Sequence, residues 1–260
     1  MIFYFSGTGN SLWVARQLQE SLQEPLYKLV DVLSSDQVYA LGEEERLGFV
    51  FPVYSWGPPE VVLEMISRLR LSREPSFLYF VCTCGDDAGK TAEVFCKAGG
   101  GRGGWTCQAG YSVFMPNTYV CLPGFDVDAP EVESRKREEA WGRVREIQDK
   151  IAGRESGFDC HEGSMPFLKT YVVRPLFCRF LMSARWFHAS DACVSCGICE
   201  KVCPMNNIRV DRKPVWGKRC TQCLACYHFC PMHAVGYGSQ TLNKGQYYFE
   251  RKRKGKQSEK

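Results

Sequence analysis

Ile2-Phe3-Tyr4-Phe5-Ser6-Gly7-Thr8-Gly9-Asn10-Ser11 passes from a β-type apolar run into a turn of glycine, hydroxyl and amide residues. Leu12, Ala15, Leu18 and Leu22 then recur at helical spacing, so the turn joins a first strand to a first helix. A helix start offers unpaired N–H groups and the positive end of a dipole, which stabilise an anion placed there. Gly7 and Gly9 let backbone come close, while Ser6, Thr8, Asn10 and Ser11 add side-chain donors. That density of donors suits a terminal phosphomonoester better than a bridging pyrophosphate. A dinucleotide fingerprint wants a third small residue for helix–strand packing; this chain has Leu12 there, although Asp31 could mimic the ribose-binding acid.

Outward from the turn, further β-type runs fall at 26–30, 47–53, 77–83 and, more weakly, 109–114. Between them lie helical stripes, one through Val62, Met65, Ile66 and Leu69 and another through Ala140, Val144, Ile147 and Ile151. Pro58-Pro59 ahead of Glu60 marks a helix start. Such alternation implies an α/β fold with parallel strands and helices on both faces, whose ligands bind at the carboxyl ends of the strands. Tyr54 and Trp56, with Gly57, follow the third run and can stack on a flat heterocycle. Thr83-Cys84-Gly85 follows the fourth and offers polar backbone to a ring edge; Cys84 has no base beside it and is not read as a nucleophile. Met115-Pro116-Asn117-Thr118-Tyr119 is a further loop on that edge. Gly85-Asp86-Asp87-Ala88-Gly89-Lys90-Thr91 looks like a P-loop but has three residues between its glycines where four are required, and two acids would face the phosphates.

Fifteen cysteines are too few, at this length, for a disulfide scaffold, but eight fall within the 38 residues from Cys193 to Cys230. Cys193-x₂-Cys196-x₂-Cys199-x₃-Cys203-Pro204 is followed by Cys220-x₂-Cys223-x₂-Cys226-x₃-Cys230-Pro231, which begins seventeen positions beyond Cys203. Each x₂ run wraps three thiolates around an iron–sulfur cubane, and the fourth thiolate reaches across to the other cluster. One [4Fe–4S] cluster is therefore expected on Cys193, Cys196, Cys199 and Cys230, the other on Cys220, Cys223, Cys226 and Cys203. Tetrahedral zinc would leave the third and fourth cysteines of each run unexplained. Residues 208–217 between the runs look like a small hairpin. His161, His188, His228 and His233 have no ligand spacing and are read as structural or exposed.

Net charge is +4, but the last ten residues carry six Lys/Arg and one Glu, leaving −1 for everything before them. A basic tail gives no reason to invoke nucleic acid, and its reading is a solvated, disordered end. Membrane spans need roughly 18 apolar residues and none is present; the opening apolar run is too short for a signal-peptide core, so a cytoplasmic location is expected. The glycines from Gly99 to Gly104 read as a flexible surface connection. Residues 153–190 interleave Gly, Pro and aromatics with Lys169, Arg174, Arg179 and Arg185, and read as a connector with one or two short helices broken at Pro175. Packing between domains is the expected use of its apolar side chains; a membrane surface is the other.

The turn from Ser6 to Ser11 and the Tyr54–Trp56 loop resemble the flavodoxin family. That resemblance implies a doubly wound five-stranded parallel sheet of order 2-1-3-4-5 binding FMN non-covalently. Implied cofactor contacts are Ser6, Thr8, Gly9, Asn10 and Ser11 for the phosphate, and Tyr54, Trp56, Gly57, Thr83, Cys84, Gly85, Asn117 and Tyr119 for the ring. The cysteine segment resembles bacterial two-cluster ferredoxins, a small α+β unit. In this order the two resemble the flavodoxin–ferredoxin fusions called EFR1-family ferredoxins of anaerobic bacteria. Expected boundaries are a flavodoxin-like domain over 1–155, a connector over 156–187, the cluster domain over 188–238 and a basic tail over 239–260. The combination implies an electron-transfer flavoprotein passing single electrons between clusters and FMN, linking a low-potential donor to a partner redox protein. The alternative is a flavin-dependent reductase of a small molecule, for which Tyr54, Tyr119 and Cys84 are the available proton donors. No nicotinamide site is read, so reduction by NAD(P)H without another protein is not expected, and no residue is assigned as catalytic.

Overall fold

The computed structural model describes residues 1–100 and 104–251. The chain runs β1 (Ile2–Tyr4), α1 (Asn10–Leu22), β2 (Leu26–Lys28), β3 (Val38–Tyr39), β4 (Arg46–Pro52), α2 (Glu60–Arg68), β5 (Arg70–Leu71), β6 (Phe77–Cys84), α3 (Thr91–Ala98), β7 (Ala109–Phe114), α4 (Pro130–Ala152) and β8 (Gly157–Asp159). The main sheet has the order β2-β1-β4-β6-β7-β8, and every neighbouring pair in it is parallel. β4 and β6 are near-continuous apolar runs because both faces are covered, as parallel sheets require. Alternate residues feed two cores. Phe3, Phe49, Phe51 and Phe80 pack against α2 and α3, while Ile2, Val50, Tyr79 and Val81 pack against α1 and α4.

The expected five-stranded sheet is corrected to six strands. β8 lies beside β7, Ala109 opposite Gly157, and belongs to the sheet although the sequence reading put residues 156–159 in the connector. Its three residues are all exposed, so no apolar run announces it. β3 and β5 form a separate parallel pair.

The connector is also corrected. α5 (Pro166–Leu168), a π-helical turn (Lys169–Val173) and α6 (Arg174–Phe180) follow one another without a break. Pro175 sits in the first turn of α6, where its missing N–H costs least, and the wide i→i+5 turn ahead of it leaves room for the ring.

Beyond it lies a compact unit of β9 (Phe187–Ala189), α7 (Ile198–Lys201), β10 (Ile208–Asp211), β11 (Lys213–Trp216), α8 (Ala225–His228) and β12 (Val235–Tyr237). β9 pairs antiparallel with β12, and β10 with β11 as the hairpin read from the sequence. Residues 239–251, grouped with the tail in the sequence reading, pack back on the first domain: Tyr247 is buried and the Phe249 ring stacks on Trp13 at 5.1 Å. Residues 252–260, the rest of the basic tail, and residues 101–103 of the glycine run lie outside the described residues.

Candidate functional site

The two cysteine runs have one backbone conformation used twice. Ser195, Gly197 and Asn206 in the first run, and Gln222, Leu224 and His233 in the second, all have positive φ, each pair 27 residues apart. α7 and α8 stand at the same offset. Left-handed residues between the cysteines turn the chain inward, so backbone N–H groups face the sulfurs. The Asn207 N–H donates to Cys203 Sγ at 3.3 Å and the Ala234 N–H, its equivalent, to Cys230 Sγ at 3.3 Å. The Gln222 N–H donates to Cys220 Sγ at 3.4 Å, and Trp216 Nε1–H to Cys226 Sγ at 3.5 Å.

The thiols fall into two neighbourhoods. Cys193, Cys196, Cys199 and Cys230 line one small cavity, closed otherwise by apolar side chains such as Ile198 and Val210. Cys203 lies within electrostatic reach of Cys220, Cys223 and Cys226. Among the described residues, no three His, Cys, Asp or Glu side chains converge as a single metal ion would require. Four thiols around a space, each run with N–H donors aimed at sulfur, fit a cubane. Burial pushes the Cys223 thiol up to about 12; a bound cation overrides that preference for the neutral form. The two groups differ in exposure. Cys196 reaches solvent, whereas Cys226 is buried.

The second group sits against the glycine turn. A Cβ on Gly7 would lie 2.7 Å from the Cys223 carbonyl oxygen and 2.8 Å from Cys223 Cβ, so only glycine permits this approach. Tyr54 lies beside Cys223 and Cys220, and burial followed by those two neighbours raises its hydroxyl well above the usual tyrosine range. Gly9 has φ 100° and α1 starts without a side-chain cap. Ser6, Gly7, Thr8 and Gly9 line a cavity of about 370 Å³ together with Trp13, Arg16, Lys28, Asp31, Cys203, Phe229 and Phe249. An uncapped helix start with Lys28 nearby fits a phosphate; Arg16 is paired with Glu250, which lines the cavity with Asp31, and Trp13, Phe229 and Phe249 supply apolar walls.

Not all of the expected residues join that cavity. Asn10 turns into the fold, its Nδ2 donating to the Pro116 carbonyl at 3.0 Å and its Oδ1 accepting from Tyr247 Oη at 2.8 Å. Ser11 Oγ meets Thr83 Oγ1 at 2.8 Å. Trp56 is held by the connector: Thr170 Oγ1 donates to its carbonyl at 2.8 Å and Lys169 Nζ lies 5.6 Å from its ring centroid. Gly57 is covered by the Arg174 side chain. Cys84 Sγ donates to the Asp86 carbonyl at 3.3 Å, and Gly85 is capped so closely by Asn117 that a Cβ would overlap its Oδ1. Asn117 itself is fixed by Asp128, and Tyr119 makes edge contacts with Phe125 and Phe177. The ring-side loops are thus satisfied by one another and by the connector.

Two residues the sequence reading set aside hold the units together. His228 is buried; its Nε2–H donates to the Thr118 carbonyl at 2.7 Å and its Nδ1 accepts from the Tyr247 N–H at 3.1 Å, which fixes the neutral tautomer. Burial lowers its pKa to about 4. The Phe249 N–H donates to the Thr8 carbonyl at 2.9 Å. The only local signal for that clasp was the aromatic triplet Tyr247-Tyr248-Phe249.

Fold and site together define a parallel α/β domain carrying an eight-thiolate iron–sulfur unit. Residues 192–235 match the 4Fe-4S dicluster domain family, which supports iron–sulfur clusters on these cysteines and electron transfer as their use. No curated protein matches the chain. Two solved structures are similar over part of it. One is a putative flavoprotein from Bacteroides uniformis ATCC 8492, 14% identical with a TM-score of 0.33, covering 44% of this chain and 88% of that one. The other is the Trp repressor binding protein from Bacillus subtilis, 15% identical with a TM-score of 0.32, covering 55% of this chain and 95% of that one. Scores of that size do not define a shared fold, which rests here on strand order and register.

Proposed function

We propose that the protein is an electron carrier in which two [4Fe–4S] clusters exchange single electrons with FMN held by its phosphate at the turn 6–11. The supporting observation is that the turn and Cys203 line one cavity. When bound, the cubanes supply one-electron carriers and the flavin a carrier of one or two electrons. Cys193, Cys196, Cys199 and Cys230 hold the outer cluster, and the exposed Cys196 marks the side a partner redox protein approaches. Cys203, Cys220, Cys223 and Cys226 hold the inner one, with Trp216 and backbone N–H groups offsetting thiolate charge. Ser6 to Gly9, with Lys28, would bind the phosphate. Trp13 and Phe249 stack on each other, and Phe229 stacks on Tyr248 by one face, so Phe229 is the cavity aromatic that would meet a flavin in place of Tyr54 and Trp56. Holding donor and acceptor in one chain gives the exchange a high effective concentration. Such an order of units resembles the EFR1-family fusions.

The test is anaerobic purification with iron, sulfide and flavin counts, then stopped-flow spectroscopy. About eight irons and one flavin per chain, with flavin reduction following cluster reduction, are expected. Full iron loading with no flavin retained even after added FMN overturns the flavin half. Lys28→Glu should weaken FMN retention and leave iron unchanged.

A further inference from the structure

The connector presents one apolar face outward, while Phe177 packs inward on Tyr119. Thr170 and Arg174, 2% and 8% exposed, face the first domain: the Thr170 hydroxyl donates to the Trp56 carbonyl, and Arg174 Nη2 donates to the Pro58 carbonyl and Glu60 Oε1, both at 2.7 Å. Leu168, Val172, Leu176 and Phe180, four residues apart in succession, face solvent. Phe167, Phe180 and Leu176 are 67%, 63% and 55% exposed, and Trp186 follows at 52%. A stripe of this size on a soluble surface calls for a covering partner.

Charge narrows the choice. From residue 163 to residue 190 there is no Asp or Glu, and four Lys/Arg. Lys169 and Arg174 are neutralised by Asp87 and Glu60 on the inward side. Among the described residues Arg179 and Arg185 make no ion pair; both are exposed, lying over the rings of Phe180 and Trp186 at 5.7 and 4.8 Å. Among the described residues the acid bonded to the outer side is Glu93, which accepts from the Tyr171 hydroxyl at 3.0 Å and is paired with Lys90. Apolar side chains flanked by unpaired arginines and an exposed tryptophan match the boundary of an anionic bilayer. A second copy of the same face would set these arginines against their own kind. No helix among the described residues is long and apolar enough to cross a membrane, so the segment would lie in the interface plane.

We propose that the outward face of α5, the π turn and α6, with Arg179, Arg185 and Trp186, is a peripheral docking surface for an anionic lipid bilayer. The inference is independent of the flavin reading, because its readout is lipid binding. Anaerobically purified holoprotein should float with phosphatidylcholine vesicles containing phosphatidylglycerol and only weakly with phosphatidylcholine alone, and added salt should release it. Leu176→Glu with Phe180→Glu should abolish flotation at unchanged iron content. Arg179→Gln or Arg185→Gln should each weaken binding to the anionic vesicles roughly five-fold. Protein that stays unbound on anionic vesicles at low salt overturns the proposal. So does a dimer, seen by light scattering, that Leu176→Glu with Phe180→Glu splits, or binding to an acidic protein with none to lipid.

Discussion

Gly7 is a residue at which the two halves meet without room to spare. An added methyl would collide with the Cys223 carbonyl and Cβ, neither of which is the free end of a flexible chain. Gly7→Ala should destabilise the protein by about 1–3 kcal/mol, the usual cost of overpacking, read as a lower denaturant midpoint. Cys84 makes the opposite point: burial raises its thiol well above the ordinary range, and its Sγ–H is spent on the Asp86 carbonyl. It should resist alkylation in the native protein at mildly alkaline pH and react after unfolding; rapid native labelling would refute this. Trp216→Phe removes the indole N–H from Cys226 Sγ. A donor to sulfur favours the more negative, reduced cluster, so its loss should lower one cluster potential by on the order of tens of mV in a redox titration.

At the level of elements, local signals were read well and distant ones were not. Strands such as 47–53 and 77–83 were visible because burial on both faces makes them continuously apolar, and the cysteine spacing put Cys230 with Cys193, Cys196 and Cys199, which line one cavity. β8 was invisible because an exposed three-residue edge carries no pattern. The connector's helical character was legible, but the orientation of its faces was not, since that depends on where Trp56, Pro58 and Glu60 lie in space. Arg174 shows what holds it. Its guanidinium is buried on the Pro58 carbonyl, while the Glu60 side chain is largely exposed, which weakens the ion pair. Arg174→Ala should cost about 1–3 kcal/mol, mainly through the lost buried hydrogen bond. Proteolysis of the connector should speed up in step with it.

On the scale of the whole molecule, the last described segment works as a clasp. Tyr247 bonds Asn10 and His228, and Phe249 bonds Thr8. It therefore ties the glycine turn to the cluster unit at Gly9, while Gly7 meets Cys223. Nothing in the sequence joins Asn10 to Tyr247, 237 residues away, so the position of the turn was legible but its cover was not. Ending the chain at Gly245 should leave iron content intact and lower the unfolding temperature; unchanged melting would show that the clasp contributes nothing.

The unequal exposure of the two thiol groups has a consequence for how the protein fails. Cys223 packs on Gly7 and Cys226 is buried, whereas the other group includes the exposed Cys196, so a reagent in solution meets that group's thiols first. Oxygen or a chelator should accordingly bleach the protein in two steps, the outlying centre first. The centre on Cys203, Cys220, Cys223 and Cys226 should then follow more slowly.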